Sequence, residues 1–314
     1  MLRRSQENWY RNFQPAYLRL SEEEFEERIE RAYDLIKQCR LCPRNCKVKR
    51  LQGQRGFCRT ARRPVISSWG PHFGEERPLV GHGGSGTIFF THCNLGCIFC
   101  QNYSISHLGD GEETTVEKLA SIMLELQTMG CHNINLVTPT HQVPMIIEAL
   151  YKASKGGLNL PVVYNCGGYE SVETLRLLDG IVDIYMPDIK YADPDIAERL
   201  SFARDYPDVV KRAVKEMHAQ VGDLIINTDG IAERGLLVRH LVLPEGLAGT
   251  KEIMEFLVRE ISPDTYVNIM DQYYPCYKAP EYPPLNRRIT RKEYIEAIEV
   301  AKSCGIKRID GLTV

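Results

Sequence analysis

Short runs of apolar and β-branched residues alternate with helical patterns from about residue 87 onward. The runs predict six strands, at 87–92, 133–139, 161–165, 181–187, 236–244 and 266–270. They are almost continuously apolar, which is typical of parallel strands that are covered on both faces. Strand, helix and strand in repeated order predict right-handed crossovers in an α/β protein. Because six strands are too few for a closed eight-stranded barrel, we expect a partial, open (β/α)6 barrel.

Helical periodicity fills two of the intervals between these strands. Apolar residues at spacings of three and four predict one amphipathic helix with Val116, Leu119, Met123 and Leu126 on one face. Gly130 stands where the C-terminal cap of that helix belongs. A second helix is expected over 143–155.

Two capping boxes predict where helices begin near the two ends of the chain. Ser21 and Glu24 have the spacing of a capping box at the start of an N-terminal helix. Thr290 and Glu293 repeat this spacing before the last helix. That helix is expected to end at Gly305, because glycine favours the left-handed conformation of a C-terminal cap.

The chain divides near residue 80. After the first helix it is rich in cysteine, arginine and glycine and shows little periodicity. We therefore predict a small helical and Cys-rich metal-binding region over 1–80 and the barrel over 81–314.

The run 81–86, GHGGSG, has the spacing of a dinucleotide-binding loop, but it precedes a strand instead of following one. We interpret it as a turn that leads into the barrel.

Composition excludes several classes of protein. The 314 residues are 43% hydrophobic and 25% charged, which is typical of a globular chain and not of a disordered one. Lys and Arg number 39 against 41 Asp and Glu, so no overall basic field predicts nucleic-acid binding. No window approaches 18 uninterrupted apolar residues, and no apolar stretch follows the basic N-terminus. We expect a cytoplasmic protein that does not bind membranes.

Cysteine is the residue type that carries most information about chemistry. Eleven cysteines in a chain without an export signal are not expected to form a disulfide framework, because the cytosol keeps thiols reduced. Seven of the eleven fall in two short windows, Cys39, Cys42, Cys46 and Cys58 in the first and Cys93, Cys97 and Cys100 in the second. Both windows are therefore candidate metal sites.

The second window, CNLGCIFC, directly follows the first predicted barrel strand. Electron carriers of the ferredoxin type surround each cubane with four thiolates, whereas this loop offers three. A cubane held by three protein thiolates keeps one iron open, and a substrate or cofactor binds there. The alternatives are a zinc site completed by His92 or His107, and cysteines that only pack in the core.

The first window has two, three and eleven residues between its successive cysteines, Cys39, Cys42, Cys46 and Cys58. Four thiolates close a tetrahedral zinc site or hold a second iron-sulfur cluster, and the spacing does not separate these two possibilities. Unpaired structural cysteines are the remaining alternative. We predict a metal site here.

Polar residues collect at the predicted carboxyl ends of successive strands. Five of them lie at or near such ends: Cys93, Thr138, Asn165, Asp188 and His240. In barrel enzymes the chemistry takes place at this edge of the sheet. Cys276, after the last predicted strand, is a further candidate as a hydrogen donor at the barrel mouth, with an inert cysteine as the alternative.

The spacing of Cys93, Cys97 and Cys100, with the aromatic Phe99 before the last cysteine, resembles the signature of the radical S-adenosylmethionine (SAM) superfamily. The resemblance covers roughly 80–314 and implies a partial (β/α)6 barrel. It implies a [4Fe-4S] cluster whose open iron binds the amino and carboxylate groups of SAM. In that family an electron from the cluster cleaves the sulfonium, and the resulting 5′-deoxyadenosyl radical abstracts hydrogen from a substrate.

Within the superfamily the chain looks most like pyruvate formate-lyase activating enzyme and its uncharacterised relatives. The matching segments are GTIFFTHCNLGCIFCQN, DIYMPDIK and VRHLVLP. This resemblance implies that Asp188 and Lys190 contact SAM and that His240 lies beside its ribose. The alternatives are that Lys190 only extends to solvent and that His240 is a core histidine with satisfied nitrogens.

One segment departs from the pattern of the activating enzymes. They usually carry a Gly-Gly-Glu run after the second strand, whose backbone receives the SAM amino group, whereas this chain has Thr138, Pro139, Thr140 and His141. Hydroxyl or carbonyl oxygens of Thr138 and Thr140 can accept the same donors. We therefore keep both threonines as expected SAM contacts, together with Asn165 at the next strand end.

The resemblance implies a radical SAM oxidoreductase with a protein or peptide substrate and an electron donor such as flavodoxin or ferredoxin. One alternative is a radical SAM enzyme that acts on a small molecule. An open barrel mouth favours a protein loop, and an enclosed polar pocket favours a metabolite. The other alternative is a non-catalytic iron-sulfur or zinc protein, a scaffold or an electron carrier, which would not bind SAM.

Overall fold

A computed structural model describes residues 13–310 of the chain. The basic N-terminal segment, where the sequence shows no apolar stretch of the kind that a secretory signal has, falls mainly in residues 1–12, outside the described residues. Within the described range, no helix has the length and apolar composition needed to cross a bilayer.

The described residues form nine α-helices. They are α1 (Glu22–Asp34), α2 (Arg77–Val80), α3 (Val116–Thr128), α4 (Val143–Lys155), α5 (Val172–Leu177), α6 (Pro194–Ser201), α7 (Tyr206–Val221), α8 (Thr250–Glu260) and α9 (Arg291–Cys304). A single π-helical turn spans Ser104–Leu108, and short 3-10 turns span Ala16–Arg19, Arg50–Gln52, Thr140–Gln142, Pro244–Gly246 and Ala279–Glu281.

The same range contains ten strands. They are β1 (Val65–His72), β2 (Ser85–Phe90), β3 (Glu112–Glu113), β4 (Ile134–Val137), β5 (Val162–Cys166), β6 (Ile184–Pro187), β7 (Ile225–Ile226), β8 (Ala232–Leu241), β9 (Tyr266–Met270) and β10 (Arg308–Ile309).

The strands form one sheet in the order β10-β9-β8-β6-β5-β4-β2-β1-β3, with β7 paired to β8. The pairs from β2 to β10 along this path are parallel, and β1 pairs antiparallel with β2 and β3. The outermost strands β3 and β10 are not paired with each other in the described part of the chain, so the sheet stays open. The predicted α/β fold with a partial, open barrel is confirmed.

All six predicted barrel strands are present, as β2, β4, β5, β6, β8 and β9. The first two end earlier than their apolar runs, at Phe90 and Val137. His92 and Thr138 have φ of 71° and 59°, in the left-handed region, which a strand cannot accommodate. The chain therefore turns off the sheet at the positions where the candidate site begins.

The predicted helix boundaries are also confirmed. Both capping boxes are formed, with the serine or threonine side chain accepting from the third helical residue and that glutamate accepting from the cap backbone. Gly305 ends α9 with φ of 102°. The helix expected over 143–155 has these bounds in α4.

Strand β1 was not predicted, because its sequence VISSWGPH lacks a strand pattern. Only two of its eight residues are buried, so its stabilisation comes from pairing with β2 and not from apolar burial. Pro71, which cannot donate to a ladder, is tolerated because β3 pairs only with Val65 and Ile66.

The region before β1 packs against the barrel through one continuous hydrophobic core that includes Tyr17, Phe25 and Leu41. Tyr17 donates its hydroxyl to the Leu160 carbonyl at 3.1 Å. Thr174 of α5 donates to the Leu41 carbonyl at 2.6 Å. The division at residue 80 stays a prediction, but the N-terminal residues named here share their core with the barrel.

Candidate metal and cofactor site

The segment that follows β2 carries the three cysteines of the second window, and we call residues 93–100 the thiol loop. The loop is held from two sides by backbone hydrogen bonds. Ile98 donates to the carbonyl of Leu200 at the end of α6, at 2.9 Å, and Lys278 donates to the carbonyl of Ile98, at 2.9 Å. Elements far apart in sequence therefore fix the conformation of this loop.

Each sulfur of the thiol loop has a polar neighbour within hydrogen-bond distance. Cys93 Sγ accepts from the Leu95 amide at 3.3 Å, Cys97 Sγ accepts from Ser201 Oγ at 3.0 Å, and Cys100 Sγ lies 3.1 Å from Ser106 Oγ. Such donors stabilise negative charge on sulfur. The loop is thus prepared for thiolates.

Without a bound cation Cys93 and Cys100 favour the protonated thiol, because their pKa values lie above the ordinary value. Burial raises the pKa of Cys93, and the nearby Cys97 and Cys100 thiolates raise it further. Burial and Cys97 likewise raise the pKa of Cys100. Bound iron would favour the thiolate form of these cysteines, because a coordinating thiol is deprotonated.

In residues 13–310, no three His, Cys, Asp or Glu side chains converge on a point that would suit one metal ion. A cubane has a different requirement, because each thiolate binds its own iron. Three buried or half-buried thiols on one loop, each with a polar group within hydrogen-bond distance of its sulfur, fit a cluster of this kind. Phe99, which belongs to the thiol loop, is buried at 4% exposure, with its ring edge-on to Tyr191 and Tyr273.

The next strand ends bring charged and polar side chains to the same side of the sheet. Asp188, after β6, lies between two cations, with Oδ2 2.6 Å from Lys190 Nζ and Oδ1 2.8 Å from Arg239 Nε. Arg239 also donates to Asn165 Oδ1 at 2.7 Å. Burial disfavours the Asp188 carboxylate, but Arg239 and Lys190 together hold its pKa below the usual value.

Lys190 connects this group to the thiol loop. Burial disfavours its ammonium, but the charges of Asp188 and of the Cys97 thiolate raise its pKa above the usual value. The structure thus places Asn165, Asp188 and Lys190 in one hydrogen-bonded group with Arg239, and Lys190 lies near the thiol loop. Their contacts with SAM stay a prediction. The side chain of Lys190 is 18% exposed, so it does not simply extend to solvent.

Sequence reasoning missed Arg239 and its acidic partners. Arg239 Nη1 lies 3.8 Å from Glu75 Oε2, and its Nε lies 4.0 Å from Glu76 Oε1. Asn268 of β9 donates to Glu76 Oε1 at 2.9 Å. We call Glu75 and Glu76 the acidic plug, because both side chains are buried beside Arg239 of β8.

One sequence signal could have found Arg239. Neighbouring residues of a strand point to opposite faces, so Arg239 and His240 cannot both face the barrel interior. The His240 ring is buried on the other side, with Nδ1 2.9 Å from the Ile189 carbonyl and Nε2 2.9 Å from Thr250 Oγ1. Burial lowers its pKa to about 4. These contacts are those expected for the alternative, in which His240 is a core histidine with satisfied nitrogens. The contact of His240 with a SAM ribose stays a prediction.

The two threonines after β4 differ in availability. Thr138 is half-buried at the strand end, and its amide donates to the Asn165 carbonyl at 2.8 Å. Thr140 is fully buried and donates its hydroxyl to Glu170 Oε1 at 2.6 Å. Burial raises the pKa of Glu170 to about 7. In this arrangement the Thr140 hydroxyl proton is engaged within the protein, and the SAM contact predicted for each threonine stays a prediction.

The remaining candidates lie on either side of the thiol loop. Cys276 is half-buried in the segment that crosses the loop at Lys278, and its proposed role as a hydrogen donor stays a prediction. The four cysteines of the first window line one cavity, and Asn94 of the thiol loop lines the same cavity.

The radical SAM superfamily profile matches residues 87–234. Uncharacterized protein MJ0674 of Methanocaldococcus jannaschii is 35% identical over 291 residues, which cover 90% of this chain and 79% of that protein. Uncharacterized protein MJ0808 of the same organism is 23% identical over 293 residues, which cover 86% of this chain and 78% of that protein.

Two solved structures resemble the chain more distantly. HydG, described as a maturase of the [FeFe]-hydrogenase, aligns with a TM-score of 0.46 and 14% identity, over 68% of this chain and 47% of that one. A structure of TYW1 with a lysine-pyruvate adduct bound aligns with a TM-score of 0.44 and 12% identity, over 71% of this chain and 74% of that one.

Proposed function

Because the chain belongs to the radical SAM superfamily, we propose that it reductively cleaves SAM and abstracts hydrogen from a protein or peptide, as an activating enzyme does. Membership implies a [4Fe-4S] cluster and SAM. Cys93, Cys97 and Cys100 are the residues that would hold the cluster. When bound, the cluster supplies the electron that cleaves SAM to a 5′-deoxyadenosyl radical.

The chain's own contribution is to bind and orient SAM beside the thiol loop. Lys190 offers an ammonium to the SAM carboxylate, and its charge also favours the thiolates of Cys93 and Cys100. Asp188 holds Lys190 in place and offers carboxylate oxygens to the SAM amino or hydroxyl groups. Arg239 keeps Asp188 ionised, which makes Arg239 a positioning residue.

The observation that supports a protein or peptide substrate is the filling of the barrel interior. Leu79 of α2 packs there in a small apolar cluster with Val163, Ile184 and Leu237. The acidic plug and Arg239 lie on the same face of the sheet. Since the chain's own side chains occupy this space, a substrate would approach the thiol loop from the mouth, which suits a segment of another chain.

We also propose an electron donor and a cellular compartment for the enzyme. A flavodoxin or ferredoxin is the proposed electron donor, because the cluster takes up one electron for each SAM that it cleaves. The cytoplasm is the proposed compartment, since all eleven cysteines are free and an iron-sulfur cluster needs a reducing environment.

The test follows the transferred hydrogen. The protein is reconstituted anaerobically with iron and sulfide, reduced, and given SAM together with extract from cells grown in deuterated medium. The extract is divided into a protein fraction and a dialysable fraction. We expect 5′-deoxyadenosine to form and to gain deuterium from the protein fraction. Deuterium from the dialysable fraction alone would replace the substrate class by a small molecule, and failure to cleave SAM would leave the non-catalytic alternative.

A further inference from the structure

The first cysteine window folds into a pocket that the proposed SAM chemistry does not use. Its four sulfur-bearing residues line one cavity, in which Cys39, Cys42 and Cys58 are buried and Cys46 is half-buried. Leu41, Val48 and Phe57 supply apolar lining. Thiols from 20 residues of chain, 39–58, thus collect in one water-poor space.

Unusual backbone conformations place these thiols. Asn45 and Lys47 flank Cys46 with φ of 43° and 57°, and Arg59 follows Cys58 with φ of 53°. Residues other than glycine adopt such values at a cost and keep them where the surroundings enforce them, often at ligand sites. A Cβ atom on Gly56 would lie 2.9 Å from Cys46 Sγ, so the chain passes Cys46 with no room for a side chain.

A buried cation lacks a counter-charge in this pocket. Arg50 lines the cavity and is 1% exposed. Its Nε and Nη2 donate to the carbonyls of Ala61 and His141 at 2.8 to 3.1 Å, but its Nη1 is buried and has no hydrogen-bond partner among the described residues. None of the ion pairs among the described residues includes Arg50 either.

A buried and unpaired guanidinium is costly, and neutral thiols do not compensate for it. Four thiolates around a divalent zinc ion, or around a cubane core of equal charge, carry a net double negative charge. Such a centre would supply the missing counter-charge and would accept a hydrogen bond from Arg50 Nη1. The charge balance therefore favours a metal–thiolate centre over four packed thiols.

The pocket is also joined directly to the thiol loop. Arg44, between Cys42 and Cys46, donates from Nε to the Asn94 carbonyl at 2.9 Å and from Nη2 to the Ser201 carbonyl at 3.0 Å. Its guanidinium lies over the Phe57 ring, 3.9 Å from the centroid. Asn94 follows Cys93 in sequence and lines the four-cysteine cavity, so this one residue belongs to both sites.

We propose that Cys39, Cys42, Cys46 and Cys58 bind a second metal centre as thiolates, with Arg50 as its buried counter-ion and Arg44 as its link to the thiol loop. The proposal stands on these residues and not on SAM cleavage. Zinc and an iron-sulfur cluster share the tetrathiolate chemistry. The described side chains do not already converge on one ion, so zinc would have to draw the four sulfurs together, whereas a cluster would bind them at four separate irons.

The first experiment measures metal with the barrel site removed. The triple variant Cys93→Ala, Cys97→Ala, Cys100→Ala is purified anaerobically, with and without reconstitution by iron and sulfide, and analysed for zinc, iron and sulfide. We expect one bound centre to remain. Visible absorption with matching iron and sulfide indicates a cluster, and a colourless protein with one zinc indicates a zinc site.

Adding Cys39→Ala and Cys42→Ala to the triple variant should remove that metal. The matched control adds Cys131→Ala and Cys304→Ala instead, which lie outside both windows, and it should keep the metal. Circular dichroism checks that each variant is folded. Equal metal in the two five-fold variants, or none in the triple variant, would overturn the proposal.

The second experiment tests whether the charge of Arg50 stabilises the metal-bound protein and destabilises the metal-free protein. Arg50→Met removes the charge but keeps a long side chain, and Arg50→Lys keeps the charge. Loss of a residue that hydrogen-bonds to the metal ligands typically weakens metal binding by roughly 10- to 100-fold. Arg50→Met should therefore lose metal to a chelator correspondingly faster than Arg50→Lys. In chelator-stripped protein Arg50→Met should unfold at the same temperature as the unsubstituted chain or higher, because an unpaired buried charge is gone. Equal metal retention in the two variants would contradict the counter-ion role.

Discussion

Ser201, the last residue of α6, donates a hydrogen bond to the sulfur of Cys97, with Oγ 3.0 Å from Sγ. The Tyr191 hydroxyl lies 2.8 Å from the same Oγ and orients it. These residues are about a hundred positions from Cys97 in sequence, at a separation of 104 for Ser201. A helix that carries no cysteine thus contributes to the electrostatics of the metal site.

Ser201→Ala should make the reduction potential of the cluster more negative by on the order of tens of millivolts, since hydrogen bonds to sulfur stabilise the reduced and more negative cluster. Iron content should stay unchanged, because all three thiols remain. A redox titration followed by electron paramagnetic resonance measures the shift. Ser303→Ala, at an exposed position on α9, is the control and should leave the potential unchanged.

Replacing any one of Cys93, Cys97 and Cys100 by alanine should abolish SAM cleavage, since each thiolate holds one iron of the cluster. The measurement is 5′-deoxyadenosine formed from SAM after anaerobic reconstitution. Cys131→Ala, a buried cysteine outside both windows, should cleave SAM as the unsubstituted protein does. Cleavage that survives loss of a thiol-loop cysteine would refute the assignment of the cluster.

Lys190→Met should slow SAM cleavage by on the order of 100-fold with unchanged iron and sulfide content, because small misplacements of a reacting group have effects of this size. The variant removes the ammonium between Asp188 and the thiol loop and leaves Arg239 to neutralise Asp188. Equilibrium binding of SAM and single-turnover formation of 5′-deoxyadenosine separate binding from chemistry. Cleavage at the unsubstituted rate would exclude Lys190 from the SAM site.

His240→Ala provides a contrast on the opposite face of the same strand. Both ring nitrogens have protein partners, Ile189 and Thr250, so we expect the substitution to lower the free energy of unfolding by about 2 to 4 kcal/mol through a cavity and two lost hydrogen bonds. Urea unfolding measures this loss. If His240 is only a core histidine, affinity for SAM is unchanged in the fraction that is folded. Weaker SAM binding by a fully stable variant would instead establish the ribose contact that the resemblance implies.

Stability should depend on pH through Glu170. Burial raises the pKa of this carboxyl to about 7 from an ordinary 4.5, so the folded state holds its proton more tightly than the unfolded state. The resulting stabilisation is fully present below about pH 4.5 and is lost as the pH rises to 7. Urea unfolding of the unsubstituted protein and Glu170→Gln at several pH values isolates the effect. As the pH rises through this range, the free energy of unfolding of the variant should increase by up to about 3 kcal/mol relative to that of the unsubstituted protein. A difference that stays constant with pH would assign the pH dependence to other groups.

The hydrophobic pattern was sufficient to predict the elements that carry the site. Apolar runs defined the six barrel strands, and capping signals such as Thr290 with Glu293 defined helix starts, because both depend on neighbours within one helical turn or one strand. The three-cysteine spacing that predicts a cluster is equally local. Strand ends were less accurate, since the positive φ of His92 and Thr138 leaves no hydrophobic signal.

What the sequence by itself determined, therefore, is the order of strands and helices, the open barrel that they imply and the loop that carries the three thiols. Only the tertiary structure decided which residues meet there. Arg239 faces the acidic plug and its neighbour His240 faces the core, because the helices cover one side of β8 and the partial barrel encloses the other. Arg44 reaches Asn94 across 50 positions. Such partners are chosen by packing between distant segments, and no short-range pattern of hydrophobic and polar residues encodes that choice.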